Sequence, residues 1–144
     1  MRYRLLDHTA DLKVVIVGAD LKELFANAAF AVFDCMLEQG AIQEKEQREV
    51  VLVAPDLAEL FLDWLRELLF LFSTQGLVVA RVQFHEPPAP QSGEAPNRLR
   101  ATVYGESYEP ARHGLKLEIK NPTYHDFQLT PTPAGWQATV LFDV

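Results

Sequence analysis

At 144 residues, 49% of them apolar, the chain has the length and composition of one domain (1–144) with a substantial core. Its 13 basic against 20 acidic residues leave a net charge of -7, which lacks the basic footprint that grips phosphate backbones and argues against direct nucleic-acid binding. The single cysteine excludes an internal disulfide and multi-cysteine zinc patterns. With no stretch near the roughly 20 apolar residues of a membrane span and no signal-like start, a cytoplasmic protein is expected.

Residues 5–17 contain the first expected strand. Leu12, Val14 and Ile16 alternate there with Lys13, Val15 and Val17, apolar on nearly both sides, as in a strand covered on two faces. Gly18 and Ala19 break it. Asp20, Leu21, Lys22 and Glu23 read as a capping box, in which the Asp20 carboxylate accepts from the third helical N–H and Glu23 reaches back. Leu21, Leu24, Phe25, Ala28, Val32 and Met36 recur at helical spacing, so a helix with one buried face runs to about Leu37, before Gly40, with Cys35 as a structural thiol inside it. A charged lead-in, 43–49, precedes a short strand at 50–54, and Pro55 closes it. Asp56 to Glu59 repeat the cap. Leu57, Leu60, Phe61, Trp64, Leu65, Leu68 and Phe72 then make the apolar face of a second helix, ending near Gln75 with Gly76 as its left-handed stop. Both helices begin Asp-Leu-x-Glu-Leu-Phe, at 20–25 and 56–61, which raises an internal duplication of a strand–helix unit. Caps and amphipathic periodicity alone also produce most of that match.

Alternation predicts a strand at 77–84, and the proline-rich stretch 86–96 reads as an exposed loop. Strand character resumes at 98–104. Beyond a loop containing Pro110, His113 and Gly114, the alternation of Leu115, Leu117 and Ile119 with Lys116, Glu118 and Lys120 predicts a half-buried strand with a charged row. Asn121 and Pro122 break it, 124–129 forms another strand, 131–135 a turn, and Trp136, Ala138, Val140 and Phe142 face inward along the closing strand. Two helices and about seven strands, several joined by hairpins, indicate an α+β two-layer sandwich, with both amphipathic helices on one face of a mixed, largely antiparallel sheet.

If the first and last strands pair, Asp11, Asp143 and the carboxylate of Val144, read as the last residue, would converge as hard oxygen donors suited to Ca2+ or Mg2+. Two solvated acids at strand ends account for the same residues. His8 lies three residues from Asp11, and His125 adjoins Asp126, so a metal-dependent hydrolase built from His8, Asp11, His125 and Asp143 is a competing reading. A nucleophile is hard to find, since none of Ser73, Ser92 and Ser107 sits in a Gly-x-Ser-x-Gly elbow, and there is no Gly-rich phosphate loop. Lys116 and Lys120 share one expected strand face, as a solvated edge or a binding site.

Several short motifs nevertheless occur in a telling order. They are His8, Thr9, Ala10 and Asp11; Leu24 to Ala29; Asp63, Trp64 and Leu65; Gly105 and Glu106 with His113; Glu118, Ile119 and Lys120 with Thr123, Tyr124 and His125; and Gly135 and Trp136 leading to Phe142, Asp143 and Val144. Together they resemble the archease family along essentially the whole chain. At Asn121 the chain departs from that family, which usually carries Ala there. The resemblance implies a non-catalytic accessory protein of the GTP-dependent RNA ligase that joins 2′,3′-cyclic-phosphate or 3′-phosphate ends to 5′-hydroxyl ends in tRNA splicing and RNA repair. The accessory protein promotes guanylylation of the ligase and multiple turnover, meeting RNA only through the ligase. The resemblance also implies a divalent cation, Ca2+ foremost, at Asp11, Asp143 and Val144, and roles in ligase activation for Lys120, Asp11, Asp143, Glu118, His8 and His125. A general chaperone-like interaction module is the remaining alternative.

Overall fold

The computed structural model describes residues 2–6, 11–38, 41–89 and 95–144. Asp20 and Asp56 start the two helices, α1 (Leu21–Met36) and α2 (Leu57–Gln75), in the same way. Each N-cap is extended, and its carboxylate accepts the N–H three residues on, from Glu23 and Glu59 respectively, at 2.8 Å. The reciprocal half of the expected box forms differently. Glu23 accepts from the N–H of Ala19, one residue before the cap, at 3.3 Å, and Glu59 turns away to Arg66 and Tyr124. Gly76 ends α2 in the left-handed region at φ 67°, and its N–H returns to Leu71 and Phe72. Because the cap side chain supplies most of the stabilisation at such a helix start, Asp56→Ala is expected to cost about 1 kcal/mol, readable as a shifted urea midpoint with an unchanged slope.

The strands are β1 (Tyr3–Leu6), β2 (Leu12–Gly18), β3 (Glu46–Ala54), β4 (Leu77–Glu86), β5 (Asn97–Ser107), β6 (Asn121–Thr132) and β7 (Gly135–Asp143). They divide between a four-stranded sheet, in the order β1-β2-β7-β6, and a three-stranded sheet, in the order β3-β5-β4. Every described pairing is antiparallel, so the mixed sheet expected from sequence is antiparallel throughout, an α+β arrangement of two helices against antiparallel sheets. Both helices touch both sheets: α1 packs on β2 and β4, and α2 on β3 and β6. That is why α1 buries more than one face, Ala29, Ala31 and Phe33 being as enclosed as Leu24 and Phe25. One apolar cluster joins both helices and both sheets. At its centre Phe25 meets Phe61 edge-on at 5.0 Å, while the Trp64 indole N–H donates to the Phe25 carbonyl at 2.9 Å. Cys35 is buried as expected, and burial pushes its thiol pKa up.

Several stretches depart from the sequence reading: β3 begins at Glu46, inside the expected lead-in, and β6 runs through the expected break at Asn121 and Pro122 and on to Thr132. The strand expected within 5–17 is β2, and a further strand, β1, precedes it and pairs with it. The strand expected at 115–120 is irregular chain with one isolated bridge, Leu37 to Leu115. Its donors are used elsewhere. Gly114 turns the chain at φ 67°, the N–H groups of Lys116 and Leu117 point to the Met36 carbonyl at the end of α1, and that of Lys120 donates to the Asp143 carbonyl at 2.9 Å. Leu117 and Ile119 still face the core, which is what their alternation recorded.

Candidate functional site

The two ends of the described chain meet in one sheet. β2 runs antiparallel to β7, from Gly18 opposite Trp136 to Leu12 opposite Phe142, so one further step sets Asp11 level with Asp143. On the other side of β7, Asn121 is the partner of Asp143, and Lys120 is tied to it through the main chain. Val14, Ile16, Val140 and Phe142 point into the core. The pleat therefore turns Asp11, Asp143 and Asn121 to the opposite side. Asp143 and Val144 are exposed and Asp11 is half-buried.

Lys120 and Glu118 stand on either side of Ile119, which is 3% exposed and anchors the segment. Both flank a cleft of about 540 Å³ whose opposite wall is α2, with Asp63, Arg66, Glu67, Phe70 and Ser73, and to which Leu52 of β3 also contributes. Arg66 is held there by Asp63 at 2.7 Å and Glu59 at 3.1 Å. His125 occupies a bulge in which β6 advances five residues, from Thr123 to Gln128, against two on β7. Asp126 takes a left-handed φ of 55° inside it, a conformation aspartate tolerates better than most side chains. Phe127 stacks on Phe61 at 6.1 Å, and the Tyr124 hydroxyl donates to the Glu59 carboxylate at 2.9 Å, so the bulge is pinned to α2 from both sides. His125 Nε2 lies 3.4 Å from the Asp126 carboxylate. His8 lies outside the described residues.

Chemically, the sheet end offers carboxylate and main-chain oxygens, hard donors that fit Ca2+ or Mg2+. Among the described residues no group of three or more His, Cys, Asp or Glu side chains gathers. A metal there would rest on Asp11, Asp143 and a main-chain oxygen of Val144.

A second polar cluster contains Glu106 and His113, which the sequence offered only as part of a family motif, with no role and without Arg112. Glu106, at the end of β5, is 2% exposed and His113 fully buried. The Glu106 carboxylate accepts from both arms of the Arg112 guanidinium, from the Gln43 N–H at 2.6 Å and from His113 Nε2 at 3.2 Å. His113 Nδ1 accepts from the Glu109 N–H at 2.9 Å, which selects the tautomer whose Nε2–H points at Glu106. The Arg112 guanidinium holds the Glu106 carboxyl down at a pKa of about 2. The signal available in sequence was the spacing, an acid followed six and seven residues later by Arg and His across a turn at Pro110.

The fold and this sheet end define a small α+β protein that offers carboxylates and a lysine beside a cleft. The sequence profile of the Archease protein family (MTH1598/TM1083) matches residues 3–144. The chain is 38% identical to the protein archease of Methanosarcina acetivorans over 143 residues, covering 99% of this chain and 96% of that one. It is 33% identical to the protein archease of Pyrococcus abyssi over 144 residues, with 99% of each covered. Among solved structures, Methanobacterium thermoautotrophicum protein 1598 superposes with a TM-score of 0.79 at 28% identity, 99% of each chain covered. A Thermotoga maritima protein described as an archease, possible chaperone, shares the fold with a TM-score of 0.63 at 20% identity, covering 96% of this chain and 94% of that one. This chain belongs to the archease family. No helix among the described residues is long and apolar enough to cross a membrane.

Proposed function

We propose that this protein activates a GTP-dependent RNA ligase that joins 3′-phosphate or 2′,3′-cyclic-phosphate ends to 5′-hydroxyl ends, acting as a protein cofactor that promotes guanylylation of the ligase and sustains multiple turnover. The observation that carries the reading is family membership along the whole chain together with the register that gathers Asp11, Asp143 and Lys120 at one sheet end. In this reading Asp11, Asp143 and a main-chain oxygen of Val144 hold a divalent cation, Ca2+ foremost, and Lys120 and Glu118 face the partner, with His125 at the margin of the contact. The cation would supply positive charge against anionic phosphates. The residues themselves hold it and present a lysine nearby.

The test is ligation of a 3′-phosphate RNA to a 5′-hydroxyl RNA by the cognate ligase with GTP, with this protein present below one equivalent. Product is expected to pass one per ligase only when the protein is added; equal turnover without it rejects the reading. Lys120→Ala is expected to reduce the stimulation about tenfold, as for loss of one hydrogen bond to a charged group. The melting temperature should not move, because Lys120 supports the fold through its main chain and its side chain is exposed. A chaperone role, the description carried by the Thermotoga protein, predicts instead protection of unrelated clients that is indifferent to Lys120 and Asp143.

A further inference from the structure

The edge of β3 and the α2 wall of the cleft form a surface to which the activator reading assigns no role. β3 pairs only with β5 among the described residues, so its other edge is open. Exposed sheet edges are normally guarded by charge, proline or a bulge. Here the charges, Glu46, Arg48 and Glu49, sit in the first half of the strand, and the second half, Val50, Val51, Leu52, Val53 and Ala54, has none. Val51 and Val53 are 58% and 54% exposed, and Leu52 contributes to the cleft. Across that cleft Phe70 of α2 is 54% exposed, a large aromatic with no function in the core.

The charges in the cleft choose its occupant. Asp63 and Arg66 neutralise each other, with Glu59 adding to the pair. Glu67 and Glu118, which make no ion pair among the described residues, then stand against Lys120 alone, in a protein of net charge -7. The surface is therefore apolar along an open strand edge and acidic on its walls.

We propose that this groove receives an extended segment of the ligase, added as a fourth strand on β3, with apolar side chains over Phe70 and Leu52 and a basic side chain toward Glu67 and Glu118. Strand addition supplies main-chain hydrogen bonds while alternate side chains fill pockets, which matches an edge whose residues face the cleft and solvent in turn. The inference rests on the activator reading and gives it a docking surface continuous with Lys120.

The experiment compares wild type, Phe70→Asp and Val51→Lys, each titrated against the cognate ligase by calorimetry and in the multiple-turnover assay. Both replaced side chains are more than half exposed, so unchanged circular dichroism and melting are expected. Each variant should raise the dissociation constant and the concentration for half-maximal stimulation at least tenfold, with Phe70→Asp losing less at low salt than at high, because the added acid attracts the segment's basic side chain. If the wild type stimulates and both variants keep its affinity, the docking surface is wrong and the activator reading survives. If the wild type itself fails to bind or stimulate an active ligase, both fall together. A wild-type dimer in sedimentation velocity that Val51→Lys dissociates, with ligase affinity unchanged, assigns the edge to a second copy and overturns the proposal.

Discussion

Glu106→Ala is expected to destabilise the protein by about 3 kcal/mol, the lower end of the range for removing one partner of a buried ion pair, because the carboxylate is buried but the Arg112 side chain is partly exposed. The carboxylate accepts from the Gln43 N–H and from His113 Nε2, and it faces both arms of Arg112. Deleting it strands the buried His113 donor, frees the Gln43 N–H and leaves part of a guanidinium charge unpaired. The loss should appear as a drop of roughly 10 °C in melting temperature for a chain of this length. It should also loosen the 41–45 segment, because Arg112 reaches the Ala41 carbonyl and Lys45 stands 3.9 Å from the same acid. Amide exchange at Gln43 reads that directly.

The pH dependence has a definite sign. The folded pKa of Glu106 lies at about 2, below the ordinary 4.5, because the Arg112 guanidinium favours the charged form. The stabilisation is therefore complete above pH 4.5 and is lost as the pH falls from there toward 2. Glu106→Gln keeps the shape without the ionisation. The difference in stability between wild type and Glu106→Gln should shrink across that acid window, and a difference that stays constant with pH would remove ionisation as its source.

Sequence carried the helices further than the strands, for a reason visible in particular residues. Asp20, Asp56 and Gly76 act on neighbours within a few residues, so local pattern is enough to find them. Leu115, Leu117 and Ile119 alternate because alternate side chains face the core, but a strand also needs a ladder partner, and Lys116 and Leu117 spend their N–H groups on Met36. Alternation reports burial, not pairing. The charged lead-in at 43–49 misled in the opposite direction: from Glu46 on it is β3, whose exposed edge and outward face tolerate charge. The division into two sheets depends on which distant strands meet, and no local signal encodes that.

The candidate site was legible in pieces. Asp11, Asp143 and Lys120 stand out in sequence, and the β2–β7 and β6–β7 registers bring their main chains to one end. Glu118 could be found by its charge but not by its neighbour, since the facing wall comes from α2, some fifty residues earlier. Phe70 was invisible for the same reason: on a helix this apolar, only the packing of both sheets reveals which aromatic is left outside.

Asp143→Ala is expected to weaken Ca2+ binding by about two orders of magnitude in calorimetry, the scale on which ligand charge tunes such sites, and to abolish multiple-turnover stimulation of the ligase. The fold should be indifferent to the change. Asp143 serves the sheet through its carbonyl, which accepts from Lys120, and its side chain is exposed, so the melting temperature of the metal-free protein should stay within about 1 °C, as for surface substitutions generally. Removing a carboxylate from an acidic cluster also relieves repulsion with Asp11, which gives the metal-free variant a slight gain if the two charges interact. Added Ca2+ should therefore stabilise the wild type by mass action and leave Asp143→Ala unmoved. Asp143→Asn separates charge from shape, since it keeps an oxygen donor at the same position. If both variants lose Ca2+ and stimulation together, the cation takes part in activation. If they lose Ca2+ while turnover continues at the wild-type rate, the sheet end holds its metal for some other purpose, and activation rests on Lys120 and the cleft beside it.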